Sequence, residues 1–265
     1  MVSQHEIDTI VKGIDLSWMT WGKMSGEKLV VGDISYLKSE NGKGFERIFS
    51  IRIENNPELR IQQMISHIKA GIMPDSMLIT PNTKPVGLAQ ILSHKGFVIN
   101  DNDPCMMMYL DAYKEEVAVY PGFIVYNVTE QTQLAEWLNI VNEALFGCEL
   151  VTLAQFYEIL ALDNTNFYLG RMDGKSVTAC MTITEDDTSV LEMVATLSGY
   201  RRKGFASIII NNALIDLRQK GIKTISLRAE ADGVGVYKRL GFKEGFQRVV
   251  ASYEWKAKHA TIIIE

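Results

Sequence analysis

The sequence predicts an α/β (α+β) fold in which helices flank a mixed central sheet, and it predicts that this plan occurs twice. Short apolar runs joined by acidic and glycine-containing turns lie within 167–195, which is typical of antiparallel strands. An apolar strand–helix–strand crossover, typical of a parallel pair, follows over 190–227. A partial copy of this second part lies near 57–97.

The C-terminal half begins with alternating strands and helices. The predicted strands are 123–128, 167–171, 177–184 and 190–195. The last three are separated by Asp173-Gly174 and by the acidic stretch 185–187, which suit tight turns. Apolar residues at three- and four-residue spacing predict a helix from Thr129 that Gly147 ends, and a second helix over 153–162.

A different period follows. Apolar residues from Phe205 to Leu217 recur at helical spacing, and Gly221 stands where a helix-ending glycine belongs. A strand over 224–227 and a helix over 233–240, ended by Gly241-Phe242, complete the crossover unit.

The N-terminal half repeats this order. Asn56-Pro57-Glu58 predicts a helix start with Asn56 as the capping residue, Leu59, Met64, Ile65 and Ile68 would form its apolar stripe, and Gly71 would end it. A strand at 77–79, a helix around 86–95 and Gly96-Phe97 follow, after a strand-rich start at 29–37 and 45–53. Met106–Met108 predict a buried strand, with a promiscuous apolar binding surface as the alternative.

The charged stretch 111–122 ends in Pro121-Gly122 and predicts a linker. We therefore expect two domains, 1–120 and 121–265. A chain of 265 residues suits two domains of this size.

Composition excludes several functional classes. Hydrophobic residues make up 47% and charged residues 22%, and the net charge of −5 argues against a nucleic-acid-binding surface. The N-terminus lacks a signal-peptide pattern, and no run approaches the roughly 20 apolar residues of a membrane span. Three scattered cysteines and four histidines show no disulfide or metal-ligand spacing. We therefore expect a cytoplasmic protein without a metal and without nucleic-acid or membrane partners.

The most informative segment joins the strand at 190–195 to the helix that starts at Phe205. Its loop holds Arg201-Arg202-Lys203-Gly204. A helix start leaves backbone N–H groups unpaired and carries partial positive charge, so it suits a diphosphate, and Gly204 lets a ligand approach the backbone. The alternative is that these cations form only a solvated helix entrance.

Two motifs here resemble those of one superfamily. Arg201-x-x-Gly204-x-Ala206 resembles the pyrophosphate-binding signature, and Tyr237 with Gly241-Phe242 resembles the second signature, of GCN5-related N-acetyltransferases (GNAT). The resemblance covers 121–265 and implies the acyl-CoA N-acyltransferase fold. Two departures are Glu230 in place of a frequent asparagine and Ser198 in place of a frequent proline.

The resemblance implies an enzyme that transfers acetyl from acetyl-CoA, its co-substrate, to a primary amine of a small molecule or peptide. The backbone of Val194, Ala195 and Thr196 would pair with the pantetheine arm. The diphosphate would bind at the loop and helix start, which comprise Arg201, Arg202, Lys203, Gly204, Phe205, Ala206 and Ser207. No metal is implied, because a thioester is already activated.

Two side chains are candidate catalytic residues. Tyr237 would protonate the departing thiolate, and Glu192 would accept the proton of the amine. The alternatives are that Tyr237 is a buried packing residue and that Glu192 is an outward-facing strand residue. A non-catalytic acyl-CoA sensor, and an enzyme with another acceptor or a longer acyl donor, also remain open.

The N-terminal half lacks the residues that this chemistry needs. Its loop at 53–58 has no glycine, Pro57 has no N–H donor, and Glu54 and Glu58 would repel phosphate. Leu92 stands at the tyrosine position, counted back from Gly96-Phe97. We therefore expect residues 1–120 to form a degenerate copy without cofactor, which could line the acceptor site or a homodimer contact.

Overall fold

The computed structural model describes residues 2–40, 44–115 and 120–254, without the side chains of Asp101 and Asn102. The described residues form two compact units. The C-terminal unit comprises 2–25 and 104–245, and the N-terminal unit comprises 26–103 and 246–254. Within the described residues no helix is both long and apolar enough to cross a membrane.

The described residues form seven α-helices and eleven strands. The helices are α1 (Gln4–Trp21), α2 (Pro57–Lys69), α3 (Leu88–His94), α4 (Gln131–Val141), α5 (Leu153–Leu160), α6 (Phe205–Gln219) and α7 (Val234–Leu240). The strands are β1 (Glu27–Val30), β2 (Ser35–Ser39), β3 (Arg47–Phe49), β4 (Ser76–Ile79), β5 (Val98–Tyr109), β6 (Phe123–Asn127), β7 (Thr165–Met172), β8 (Lys175–Glu185), β9 (Thr188–Thr196), β10 (Thr224–Arg228) and β11 (Lys243–Ser252). A π-helical turn (Asn142–Phe146) extends α4, and a 3₁₀ turn (Ser198–Tyr200) follows β9.

The sheet of the C-terminal unit confirms the predicted mixed fold. Strands β6, β7, β8 and β9 pair antiparallel in that order, and β10 then pairs parallel to β9. Asp173 and Gly174 both have positive φ (49° and 82°), the conformation that a two-residue hairpin between β7 and β8 requires. On the far side of β10, residues 105–109 of β5 pair antiparallel with 224–228.

Helices cover both faces of this sheet. Tyr168 donates a hydrogen bond to Asp216 of α6, so its face of β7 packs under α6 and α7. On the opposite face, the buried rings of Trp137, Phe156 and Phe167 pack together beneath α4 and α5. Successive side chains of a strand point to opposite faces of the sheet. The neighbouring residues Phe167 and Tyr168 of β7 therefore pack against different helix layers.

Helix α1 was not predicted. Its signal is a capping box, in which Ser3 and Glu6 each accept from the other's backbone N–H, followed by buried Ile10 and Ile14 at helical spacing. It packs against β8, β9 and β10 on the α4 side of the sheet. The first segment of the chain therefore belongs to the C-terminal unit.

The N-terminal unit has its own sheet and core. Strands β1, β2 and β3 pair antiparallel, β3 pairs parallel to β4, and β4 pairs antiparallel with β11. The faces of α2 and α3 bury Ile61, Met64, Ile68 and Leu92. The predicted stripe was wrong at Leu59, which is 53% exposed, because the face of α2 turns it to solvent.

Asn56 precedes α2 as predicted, but its side chain makes no capping hydrogen bond. Its backbone is left-handed (φ 47°), a conformation that asparagine tolerates better than most residues. The prediction of the helix start is confirmed, and the prediction of a side-chain cap was wrong because the backbone conformation differs from that of a capping residue.

The helix–strand–helix order occurs in both units. Gly71 after α2 and Gly221 after α6 have φ of 70° and 79°, and Gly96 after α3 and Gly241 after α7 have φ of 90° and 101°. Phe97 and Phe242, which follow the second glycine of each pair, are buried. The same turn chemistry therefore ends corresponding helices in the two halves.

The two compact units of the structure do not meet at a single boundary between residues 120 and 121, where the sequence predicted one. Helix α1 and residues 105–109 of β5 pack in the C-terminal unit, whereas residues 249–252 of β11 pair with β4. Which strands pair depends on the tertiary fold and not on their order in the chain, and amino-acid composition does not reveal which strand will be the partner.

Residues 116–119 of the predicted linker and 255–265 lie outside the described residues. Met106–Met108 form the buried strand that was predicted.

Candidate functional site

Strands β9 and β10 run side by side at first and then separate. Their parallel pairing ends at Val190 and Ser226, although β9 continues to Thr196 and β10 to Arg228. The register between β8 and β9 shifts here, where Met193 has a φ of 55°. A bulge of this kind bends the strand. The result is a gap whose β9 edge could pair with an extended ligand.

The predicted pantetheine segment is the part of β9 beside this gap. The Ala195 carbonyl accepts a hydrogen bond from Thr178 Oγ1 (2.7 Å), and the Thr196 carbonyl accepts one from Arg201 Nε (3.0 Å). The partly buried Val194 packs against the core beneath α6. Two of the three carbonyls thus already accept a hydrogen bond from a side chain.

The loop after β9 leads directly into α6. Gly204 precedes the helix with a φ of 86°, and Arg202 also has a positive φ (61°). The first hydrogen bond of the α6 ladder runs from Ile208 N–H to the Gly204 carbonyl, so the N–H groups of 205–207 precede the ladder. A Cβ added at Gly204 would meet nothing within 4 Å. This geometry suits an anion that approaches the backbone.

Arg201 holds the loop in place. Its Nε donates to the Thr196 carbonyl, and its terminal nitrogen donates to the Ala144 carbonyl in the π-helical turn (3.1 Å). These contacts join β9, the loop and the end of α4. In the described structure the Arg201 guanidinium therefore shapes the loop.

Two lysines lie close to one aromatic ring in this loop. Lys203 Nζ and Lys175 Nζ lie 5.2 Å and 5.6 Å from the centre of the Tyr200 ring. Lys203 was predicted, whereas Lys175 was missed because it lies at the β7–β8 turn, far from the loop in sequence. With the exposed side chain of Arg202, these cations give the loop a positive surface.

Phe205 begins α6 but turns its side chain into the core. Its ring stacks on Phe123 (4.5 Å between centres) and meets the edge of Tyr120 (5.0 Å). The residue could therefore serve a ligand through its backbone N–H only, and its ring fixes where α6 begins. Ala206 and Ser207 are partly exposed beside it.

Tyr237 lies in α7 and is 8% exposed. Its ring contacts Phe242 (5.9 Å), and a Cβ added at Gly233 would be 2.9 Å from the ring, so these neighbours hold the ring in place. Burial, followed by the effect of Cys180, raises the pKa of the phenol, and Glu192 acts in the same direction. The hydroxyl is therefore kept protonated and able to donate a proton.

Glu192 precedes the bulge in β9 and is partly exposed. It is paired with Met181, which is paired with Phe167, so its side chain lies on the sheet face covered by α1 and α4. Ser17 Oγ of α1 donates to Glu192 Oε1 at 2.6 Å. Tyr237 belongs to the core on the opposite face. The two candidate catalytic groups thus lie on opposite faces of the sheet.

The two departures from the family signatures have defined positions. Glu230 forms an ion pair with Arg228, so its carboxylate is engaged at the end of β10. Ser198 begins the 3₁₀ turn, whose Tyr200 N–H donates to the Leu197 carbonyl (2.8 Å). The turn therefore forms without a proline.

The corresponding loop of the N-terminal unit has a different character. Pro57 occupies the first position of α2, and Glu54 is exposed. The Arg60 guanidinium forms a bidentate ion pair with the Asp33 carboxylate, with N–O distances of 2.6 Å and 2.8 Å. Asp33, Glu54 and Arg60 border an open cavity of about 430 Å³. Leu92 of α3, at the position that corresponds to Tyr237, is fully buried.

Among the described residues, no group of three or more His, Cys, Asp or Glu side chains could hold a metal ion. His259 lies outside those residues.

Residues 132–242 match the model of the acetyltransferase (GNAT) family. The chain contains a GNAT domain. The matched residues include the loop, the gap between β9 and β10, and Tyr237, so the family match and the site geometry coincide. A comparison with curated proteins gives no match.

Solved structures resemble most of the chain and not residues 132–242 alone. A GCN5-related N-acetyltransferase from Kribbella flavida has a TM-score of 0.71 at 19% identity, over 91% of this chain and 95% of that chain. One from Sphaerobacter thermophilus has a TM-score of 0.60 at 12% identity, over 82% and 79%. A tandem GNAT protein from the clavulanic acid biosynthesis pathway has a TM-score of 0.63 at 11% identity, over 92% of each chain. At these identities the similarity shows the fold.

Proposed function

We propose that the chain is an N-acetyltransferase that transfers acetyl from acetyl-CoA to a primary amine of a small molecule or peptide. Three features of the C-terminal unit support the proposal: a glycine-led helix start that would suit an anion, the buried phenol of Tyr237, and the partly exposed carboxylate of Glu192 in β9. A binding module would need the first of these features only. The presence of all three favours catalysis.

The residues present fit the co-substrate. The N–H groups of 205–207, with Arg202 and Lys203 beside them, would hold the diphosphate, and the unobstructed surface at Gly204 would let it approach. The edge of β9 around Val194 and Thr196 would pair with the pantetheine arm. Arg201 would act by holding the loop, as its two bonds to carbonyls indicate.

The chemistry requires one proton to leave the amine and one to reach the thiolate. We assign the first to Glu192 and the second to Tyr237, because a carboxylate can accept a proton and a phenol that stays protonated has one to donate. The amine nitrogen forms the new bond to the acetyl carbon, the carbon–sulfur bond breaks, and the thiol of CoA leaves. The amine would enter from the α1 side of the sheet, where Glu192 lies.

Acetyl-CoA binding is tested by calorimetry on the full chain. Lys203→Glu reverses an exposed charge and should weaken binding in a salt-dependent manner, while Gly204→Glu should abolish it. Gly32→Glu is the matched control, because it adds the same charge in the N-terminal unit at a position with open space and no positive φ. Unchanged binding by Gly204→Glu would exclude the loop as the diphosphate site.

Turnover is tested by screening primary amines for release of CoA thiol. Tyr237→Phe removes one hydroxyl, so acetyl-CoA affinity should persist while kcat falls about 100-fold. A fully active Tyr237→Phe, under conditions in which chemistry limits the rate, would make Tyr237 a packing residue. If acetyl-CoA binds and no amine releases thiol, the result favours a non-catalytic acyl-CoA sensor.

For the N-terminal unit we propose a degenerate copy that holds no cofactor. Pro57 removes an N–H donor from the start of α2, Glu54 opposes a phosphate, and Leu92 cannot donate a proton. Titration should therefore give one acetyl-CoA per chain, and a stoichiometry of two would contradict the proposal. A homodimer and a cytoplasmic location stay predictions, which sedimentation and cell fractionation can test.

A further inference from the structure

Helix α1 supplies a polar contact to the candidate catalytic site that neither GNAT signature includes. Ser17 Oγ lies 2.6 Å from Glu192 Oε1 and 3.2 Å from the Gly13 carbonyl of its own helix. A hydroxyl has one proton, and the shorter, charge-assisted bond favours its donation to the carboxylate. Ser17 is 3% exposed, so water competes little for this bond.

The helix is fixed on both sides of Ser17. Before Ser17, in the middle of the helix, Lys12 Nζ pairs with Asp186 (2.8 Å) in the turn between β8 and β9 and with Glu185 (3.2 Å) at the end of β8. At its end, the Trp21 ring packs against Phe156 of α5 (5.9 Å between centres). These contacts define where the helix sits along β9.

Between Lys12 and Trp21, α1 comes very close to the sheet. Gly13 faces Ser226 of β10 so closely that an added Cβ would be 2.1 Å from Ser226 Oγ. Just beyond α1, the Ser25 N–H donates to Glu158 of α5 (2.6 Å). Ser17 is therefore presented to Glu192 by a helix that packs against β9, β10 and α5.

We propose that Ser17 is a positioning residue for Glu192, so that α1 forms part of the acceptor side of the active site. This proposal rests on the proposed function, in which Glu192 accepts the amine proton. A carboxylate has about four acceptor sites, so the bond from Ser17 orients it without exhausting its capacity to accept a proton. The bond is lost if either partner loses its polar atom.

The test uses the full chain and the amine that gives the highest rate in the thiol-release screen. Ser17→Ala should lower kcat about tenfold, the order of effect expected for a lost hydrogen bond to a charged group, with the KM for acetyl-CoA unchanged. Ser17→Thr keeps the hydroxyl and should restore most of the rate. Thr9→Val is the matched control on the same helix, because the Thr9 hydroxyl donates to the His5 carbonyl of α1 and bonds to no other group among the described residues.

A double mutant separates positioning from general damage to the fold. Glu192→Gln should lower kcat more than Ser17→Ala does, and adding Ser17→Ala to Glu192→Gln should change it no further, because the two residues act as one unit. If the effects instead multiply, or if Ser17→Ala keeps full kcat, the positioning role is overturned while the proposed function stands. If acetyl-CoA binds but no amine is acetylated, both are overturned.

Discussion

The contact between Gly13 and Ser226 offers a sharp test of how α1 packs. Both residues are buried, and a Cβ at Gly13 would be 2.1 Å from Ser226 Oγ but 3.5 Å from Ser226 Cβ and from Val190 Cβ. The hydroxyl oxygen is thus the one serious obstacle to an alanine at position 13. Ser226 Oγ also has no hydrogen-bond partner among the described residues.

The magnitudes follow from these distances. Overpacking a buried site costs about 1–3 kcal/mol, and alanine in place of glycine in a helix returns about 1 kcal/mol, so Gly13→Ala should lower the free energy of unfolding by about 1 kcal/mol. Ser226→Ala removes a buried hydroxyl without a partner and should be neutral or stabilising by up to about 1 kcal/mol. The double variant has no clash and should be at least as stable as the wild type.

Urea denaturation of the four proteins, followed by tryptophan fluorescence, measures the coupling. We expect the double variant to exceed the sum of the single effects by about 1–2 kcal/mol. Gly235→Ala is the control, since this exposed glycine of α7 gains helix propensity with ordinary contacts and should be stabilising in either background. Simple additivity of Gly13→Ala and Ser226→Ala would refute the packing of α1 on β10.

Three further predictions concern other parts of the chain. Burial, and then the nearby Glu46, raise the pKa of Glu27 from 4.5 to about 7. The buried charge of Glu27 therefore costs no stability below pH 4.5, and this cost grows as the pH rises to 7. Glu27→Gln should stabilise the protein by about 1 kcal/mol at pH 8, after allowance for solvent screening, and not at pH 4, as urea denaturation at both pH values can check. The exposed Cys148 should react with a thiol reagent at once, whereas the other two cysteines are buried and should react only on unfolding. Rapid reaction of three thiols per folded chain would contradict this. Trp137→Phe leaves the Cys180 carbonyl without the indole donor at 3.0 Å and should cost about 1–3 kcal/mol of unfolding free energy; a cost near zero would exclude that bond.

The sequence predicted what is local. Gly204 and Gly241 lie where their positive φ values end or begin a helix, and Asp173-Gly174 forms the predicted turn. Each of these features depends on a few adjacent residues, because backbone conformation limits which residue types fit there. Tyr237 could be named as a candidate for the same reason, since its place is fixed by a short motif.

What the sequence could not predict depends on tertiary contacts. Lys175 comes near Tyr200 only because β7, β8 and β9 pair in one register, and Arg201 reaches the Ala144 carbonyl only because the π-helical turn ends beside the loop. The pairing of β11 with β4 likewise joins two segments that are far apart in the sequence. No periodicity in a single chain distinguishes such partners.

These long-range contacts change what a truncation can show. A fragment that begins at residue 121 lacks α1, and with it the Ser17 contact to Glu192, and it lacks the β5 residues that pair with β10. Loss of activity in that fragment would follow from damage to the C-terminal unit itself. It would therefore carry no information on whether residues 26–103 line the acceptor site. Substitutions on the surface of the N-terminal unit, made in the full chain, address that question because they leave α1 and β5 in place.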